Sequence, residues 1–215
     1  MSTHDDFNFE PVRGLPEKLP EGEHILWQGR PSVRMLAREA LSTRLIAGYF
    51  LLIAALRVVV SSNDVPLGQA LGHAVPVLLV GLIAIAILYG VAFAQARSTV
   101  YTLTNKRVGM RIGAALTLTL NLPYTWIGNA LLAAGKNGHG TIAFELIGDT
   151  RLSYAMTWPH VRPWYIARTQ PALRCIPDAA RVAEIFAAAA ETRVSAPDTI
   201  LITQTKGDIT ALAAE

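Results

Sequence analysis

The sequence predicts a membrane α-helical hairpin joined to an α+β domain, a small β-barrel or sandwich of about six or seven antiparallel strands capped by a C-terminal helix. Three observations carry this. Residues 74–96 hold no charge, and residues 41–60 hold very little. Beyond Arg97 the apolar period shortens to two. From Pro177 it lengthens again to a single apolar helical face.

The 215-residue chain is 52% hydrophobic and only 16% charged, against roughly 25% charged in soluble domains. The deficit lies mainly between Leu45 and Ala96. A formal net charge of +3, without any arginine-rich helix or basic tract, argues against a nucleic-acid partner. Cys175 is the single cysteine, so one chain has no disulfide framework and no thiolate metal cluster, in keeping with a reducing compartment. Met1-Ser2-Thr3-His4-Asp5-Asp6 is acidic and polar, so no cleavable signal peptide is expected and insertion rests on internal segments.

In chain order, residues 1–40 are expected to form a cytoplasmic N-terminal segment. Its Pro- and Glu-rich part, 5–24, should lack regular structure before binding, with Phe7 and Phe9 spaced to join a sheet edge or clip onto a partner. The hairpin occupies 41–96. Its first helix, 41–60, is bracketed by Arg44 and Arg57; Arg57 lies within one turn of the far end, where its stem can snorkel. A re-entrant helix is the alternative there. The second helix, 74–96, has spanning length, with Pro76 in its first turn, where a missing N–H is cheap. Arg30, Arg34, Arg38 and Arg44 precede the hairpin, and Arg97, Lys106, Arg107 and Arg111 follow it. The connector 61–73 has neither lysine nor arginine. The positive-inside rule therefore predicts a multi-pass protein of the bacterial inner membrane with both termini cytoplasmic.

The cytoplasmic domain is expected at 97–194. Strands are predicted at 99–104, 107–112 and 115–121, with Asn105-Lys106 as a turn, and further strands at 127–133, 141–147, 152–157 and 165–168. Pro177 and Asp178 suit a helix start, and Val182, Ile185, Phe186 and Ala189 recur at helical spacing. Residues 195–215 are a polar tail, with Thr199 to Thr205 as a further strand candidate.

No acid–base–nucleophile constellation is present, so neither catalysis nor a metal is expected. The glycines at 135, 138 and 140 lie between two strands, where turn chemistry accounts for them better than a phosphate cradle. His4, His24, His73, His139 and His160 show no metal-ligand spacing. Cys175 lies in an apolar stretch that suits a buried thiol. The segment 158–174 stands out. Trp158, Arg162, Trp164, Arg168 and Arg174 combine rings and cations as lipid headgroups and protein hot spots both require. The competing account makes Trp158 and Trp164 partly core residues and leaves the arginines solvated. Gly48, Gly81 and Gly90, with neighbouring alanines, would allow close helix approach, either to client helices or in a homo-oligomer.

Ile25-Leu26-Trp27-Gln28-Gly29-Arg30-Pro31-Ser32 and Tyr101-Thr102-Leu103-Thr104-Asn105-Lys106-Arg107-Val108 resemble segments of bacterial membrane-flanked PH-like domain proteins. Pro11-Val12-Arg13-Gly14-Leu15-Pro16-Glu17, Leu118-Thr119-Leu120-Asn121-Leu122-Pro123, Trp158-Pro159-His160-Val161-Arg162-Pro163-Trp164 and the stretch from Leu173 to Val182 resemble the photosynthetic-complex assembly proteins of purple bacteria. The resemblance runs over residues 5–190. It implies a PH-like domain, an intracytoplasmic membrane location, and a role in assembling the reaction centre with its core light-harvesting antenna, whose subunits and surrounding lipids would be the partners. It brings no catalytic residues and no cofactor. His73, at the mouth of the second helix, could ligate bacteriochlorophyll, although a solvated interfacial histidine is the simpler account. The alternative function is a PH-like lipid- or protein-binding module without a photosynthetic role, with Lys106, Arg107 and Arg111 as a basic pocket.

Overall fold

The computed structural model describes residues 14–113, 117–135, 138–148 and 152–195. Phe7, Phe9, Ala115 and the strand candidate at 199–205 lie outside them. A strand, β1 (Ile25–Gly29), precedes a short helix, α1 (Val33–Glu39). Two long helices follow, α2 (Thr43–Ser61) and α4 (Val75–Ser98), joined through a one-and-a-half-turn helix, α3 (Leu67–Gly72). Both long helices are long and apolar enough to cross a membrane. Their apolar side chains face outward: Leu45, Leu51, Leu52 and Val59 on α2, and Leu79, Leu82, Ile83 and Ile87 on α4, are all exposed. Pro76 occupies the first turn of α4, as its missing N–H allows.

β2 (Val100–Thr104), β3 (Arg107–Ile112) and β4 (Leu118–Pro123) form the meander that alternation predicts. They join β1 in an antiparallel sheet of order β1-β2-β3-β4. The segment ahead of the hairpin therefore supplies an edge strand to the domain behind it, pairing Gly29 with Tyr101 and Gln28 with Thr102. β5 (Ile127–Ala134), β6 (Gly140–Leu146) and β7 (Ala172–Ile176) form a second antiparallel sheet. Among the described residues the two sheets do not close into a barrel. A helix, α6 (Ala179–Ser195), turns its apolar face inward. Its Val182 and Phe186 meet Tyr101, Leu103, Met110, Phe144 and Leu173 in one core drawn from both sheets. Tyr124 meets Phe186 edge to face, and Phe144 packs on it at a tilt.

Two predicted strands are corrected. Residues 154–157 form a single helical turn, α5 (Tyr154–Thr157), and 165–168 are irregular, ending in a turn at 167–168. Pro159, Pro163 and Pro171 punctuate this stretch, and a proline supplies no ladder donor. Thr157 bonds the Ser153 carbonyl through its N–H (3.2 Å) and hydroxyl (2.7 Å), which closes the turn. Trp164, at φ +70°, reverses the chain where a strand would need it extended.

Candidate functional site at the helix–domain junction

α1 lies against α4, and Leu36, Ala96 and Cys175 form a small buried cluster there. The N–H of Ser32, just before α1, donates to the Cys175 carbonyl at 2.9 Å. The Cys175 thiol donates to Glu39 at 3.5 Å. Burial, and then the charge of Glu39, pushes that thiol up to about 12. The helical part and β7 are thus bolted together.

A second bolt lies beside it. Residues 158–171 run from α5 to β7 as a pinched loop. Its base is closed by the N–H of Ala172 on the His160 carbonyl and the N–H of Arg162 on the Gln170 carbonyl, both at 2.9 Å. His160 is completely buried. Its Nδ1 lies 2.6 Å from the Tyr101 hydroxyl and its Nε2 lies 3.2 Å from the Thr99 hydroxyl. The Tyr101 oxygen accepts the Arg174 backbone N–H at 3.3 Å. The network assigns the tautomer: the Tyr101 proton goes to Nδ1, and Nε2–H donates to Thr99. Burial, helped by the nearby Arg174 charge, holds His160 down at about 3, so it is neutral. Burial likewise raises the Tyr101 phenol above its ordinary range.

Arg174 is a correction to the sequence reading. It is 5% exposed and sits beneath the loop instead of on a docking face. Its Nη1 donates to the carbonyls of Val161 (3.2 Å) and Pro159 (3.4 Å), holding the loop from below. β7 is buried along its whole length, which carries Arg174 inside with it. The other predicted residues do share one surface region. Arg162 donates to Gln170 Oε1 at 3.0 Å and stacks 4.0 Å from the Tyr165 ring centroid. Trp158 is 41% exposed, Ile166 66% and Trp164 89%, and Arg168 is exposed. Trp164 is therefore no core residue. Beside the loop a cavity of about 540 Å³ is lined by Glu39, Leu132, Thr141, Arg162, Tyr165 and Arg174.

The glycines separate. A Cβ on Gly81 would meet Phe50 of α2 at 2.7 Å, so Gly81 serves the contact between the two long helices, whereas Gly48 and Gly90 face open space. The proposed basic pocket does not assemble. Arg107 pairs with Glu23 at 2.9 Å, Arg111 is buried, and Lys106 donates to the Glu21 carbonyl at 3.4 Å. His73 is exposed at the end of α3. Among the described residues no three His, Cys, Asp or Glu side chains are grouped to hold a metal. Sequence reading missed the partnership of His160 with Thr99 and Tyr101. The only available signal was a histidine between aromatics and prolines, and its partners lie some 60 residues away.

A family described as the bacterial PH domain matches residues 43–190. A protein of Rhodobacter capsulatus, named as an uncharacterized 23.7 kDa protein in the puhA 5' region, is 45% identical over 205 residues, covering 93% of this chain and 94% of its own. No solved structure matches.

Proposed function

This chain belongs to the bacterial PH domain family, and from that premise we propose that it is a non-catalytic membrane-bound assembly factor for the photosynthetic reaction centre and its core light-harvesting antenna. One observation carries the mechanical part of this reading. The exposed aromatic and basic loop is fixed to the end of the apolar hairpin through His160 and Thr99. A client gripped by the loop would be held at the membrane surface, with its own helix free to lie against α2 or α4.

In this reading α2 and α4 span the bacterial inner membrane, both chain ends are cytoplasmic, and the arginines on either side of the hairpin support that orientation. The R. capsulatus relative supports the photosynthetic part through its position in the puhA 5' region. So does the resemblance of residues 11–17, 118–123, 158–164 and 173–182 to the assembly protein PuhB of purple bacteria. The enclosed, doubly bonded His160 favours a structural role over proton transfer, and neither cofactor nor pigment enters the proposal.

The test is affinity purification of the tagged full-length chain from photosynthetic membranes in mild detergent. Reaction-centre or antenna polypeptides are expected to co-purify. Recovery of the chain with lipid alone would favour a PH-like membrane module without a photosynthetic role.

A further inference from the structure

We propose that the tip of the 158–171 loop is an interfacial foot: Trp164 and Ile166 enter the headgroup layer of the membrane that holds α2 and α4, while Arg162 and Arg168 meet anionic lipid phosphates. The inference rests on the membrane-spanning reading of α2 and α4, and it names a bilayer, not a protein, as what covers this surface.

Position is the first argument. The base of the loop is bonded to Thr99, the residue directly after α4 ends at Ser98. Arg162 and Tyr165 share a cavity wall with Glu39, four residues before α2 begins at Thr43. Both apolar helices thus meet the domain beside this loop, at the level of the headgroups.

Chemistry is the second. Trp164, at 89% exposure, is more open than any other large apolar residue described outside or inside the hairpin, and Ile166 and Met156 are each 66% exposed. Trp164 also occupies the left-handed region at φ +70°, a conformation that bulky residues rarely adopt. Indole rings are favoured at the membrane–water interface, where one edge is apolar and the other wet.

Charge is the third. From Arg151 to Pro177 the sequence has four arginines and no carboxylate. Of these, Arg162 and Arg168 belong to the loop, and Arg174 lies beneath it. A loop with rings, arginines and no acid of its own, Glu39 being the carboxylate on the cavity wall beside it, complements an anionic leaflet, where each basic residue near the surface adds to the attraction.

The test places the full-length chain in nanodiscs of phosphatidylglycerol bearing bromine at graded acyl depths, and compares tryptophan emission with that of Trp164→Phe. The expected difference signal, which belongs to Trp164, is blue-shifted and quenched most by the shallowest bromine. In the double variant Arg162→Gln/Arg168→Gln this signal moves toward a water-like position in phosphatidylglycerol and stays unchanged in neutral phosphatidylcholine. A water-like, unquenched Trp164 in alkali-resistant nanodiscs overturns the foot while leaving the hairpin intact. Failure of the chain to remain in the bilayer at high pH overturns the membrane reading itself. If Trp164 becomes shielded only after reaction-centre or antenna subunits are added, the loop is a protein-docking surface and the lipid assignment is wrong.

Discussion

The hydroxyl of Thr99, the first residue beyond α4, lies 3.2 Å from Nε2 of His160 in the 158–171 loop. Through Tyr101 the same imidazole reaches the backbone of Arg174 in β7. Three distant pieces of chain therefore converge on one buried ring. Together with Cys175 and Glu39 they leave little freedom for the loop to swing independently of the apolar helices. A buried polar cluster with satisfied partners specifies one arrangement, because any other strands a polar atom in the core.

The neutral state of His160 makes the fold acid-sensitive. Its imidazole is held at about 3, against an ordinary 6.5. Above pH 6.5 folded and unfolded chains are both neutral here, and the full stability is present. Between 6.5 and about 3 only the unfolded chain takes up the proton, so stability falls with pH, by on the order of 2 kcal/mol at pH 5. His160→Gln should start less stable at neutral pH but lose less on acidification. Denaturant midpoints of both proteins at pH 7.5 and pH 5 measure this, and equal losses would refute the assignment.

Arg174 should matter to the loop more than to any ligand. Arg174→Met removes both bonds to the Pro159 and Val161 carbonyls. A loss of about 2–3 kcal/mol is expected for hydrogen bonds from a charged group. Trypsin should cut after Arg168, the loop arginine not followed by proline, faster in this variant than in the parent. Unchanged cleavage kinetics would mean that the loop is held by other means.

Much of the architecture was legible because its signals are local. A charge-free run at 74–96, alternation from Thr99 to Ile112, and an apolar stripe through Val182, Ile185, Phe186 and Ala189 each declare an element within a few residues. The two misread strands, at 152–157 and 165–168, contain no proline themselves but border Pro159 and Pro163; the first is closed into a helical turn by Thr157 on Ser153, and the second follows Trp164 in the left-handed region. β1 was hidden for a different reason: its partner β2 follows the whole hairpin, and no local period records a pairing across it. The candidate site divides the same way. Aromatics and arginines at 158–168 stand out in composition, but whether a given arginine lies on or under the surface depends on β7, which sequence alone did not align with β6. His160 was weighed only for metal-ligand spacing, because its partners Thr99 and Tyr101 lie some 60 residues away at the end of α4 and in β2.

Cys175 offers a reporter of the junction. It is the only cysteine, is buried, and its thiol is pushed up to about 12. Its thiolate fraction near neutral pH is then roughly a thousandfold below that of an ordinary thiol. Maleimide at pH 7.5 should leave the folded chain unlabelled and label it stoichiometrically in denaturant. Glu39→Gln removes the second cause of the shift and should speed labelling of the folded chain. Rapid labelling of the native protein would show that α1 does not stay seated on β7.

The three hairpin glycines should behave as two classes. Gly81 lies where an added methyl would fall 2.7 Å from the Phe50 ring. Phe50 belongs to the facing helix, so Gly81→Ala forces α2 and α4 apart or drives Phe50 off its rotamer, at about 1–3 kcal/mol. An added Cβ at Gly48 or Gly90 has nothing within 4 Å, so Gly48→Ala and Gly90→Ala add a methyl that meets no part of the chain itself. Thermal unfolding in detergent should therefore fall for Gly81→Ala and stay level for the other two. Co-purification of client subunits should show the reverse order, because bulk at Gly48 or Gly90 would block an approaching helix where small residues permit close contact. If all three variants lower the unfolding midpoint alike, the open face belongs to the fold and not to a client.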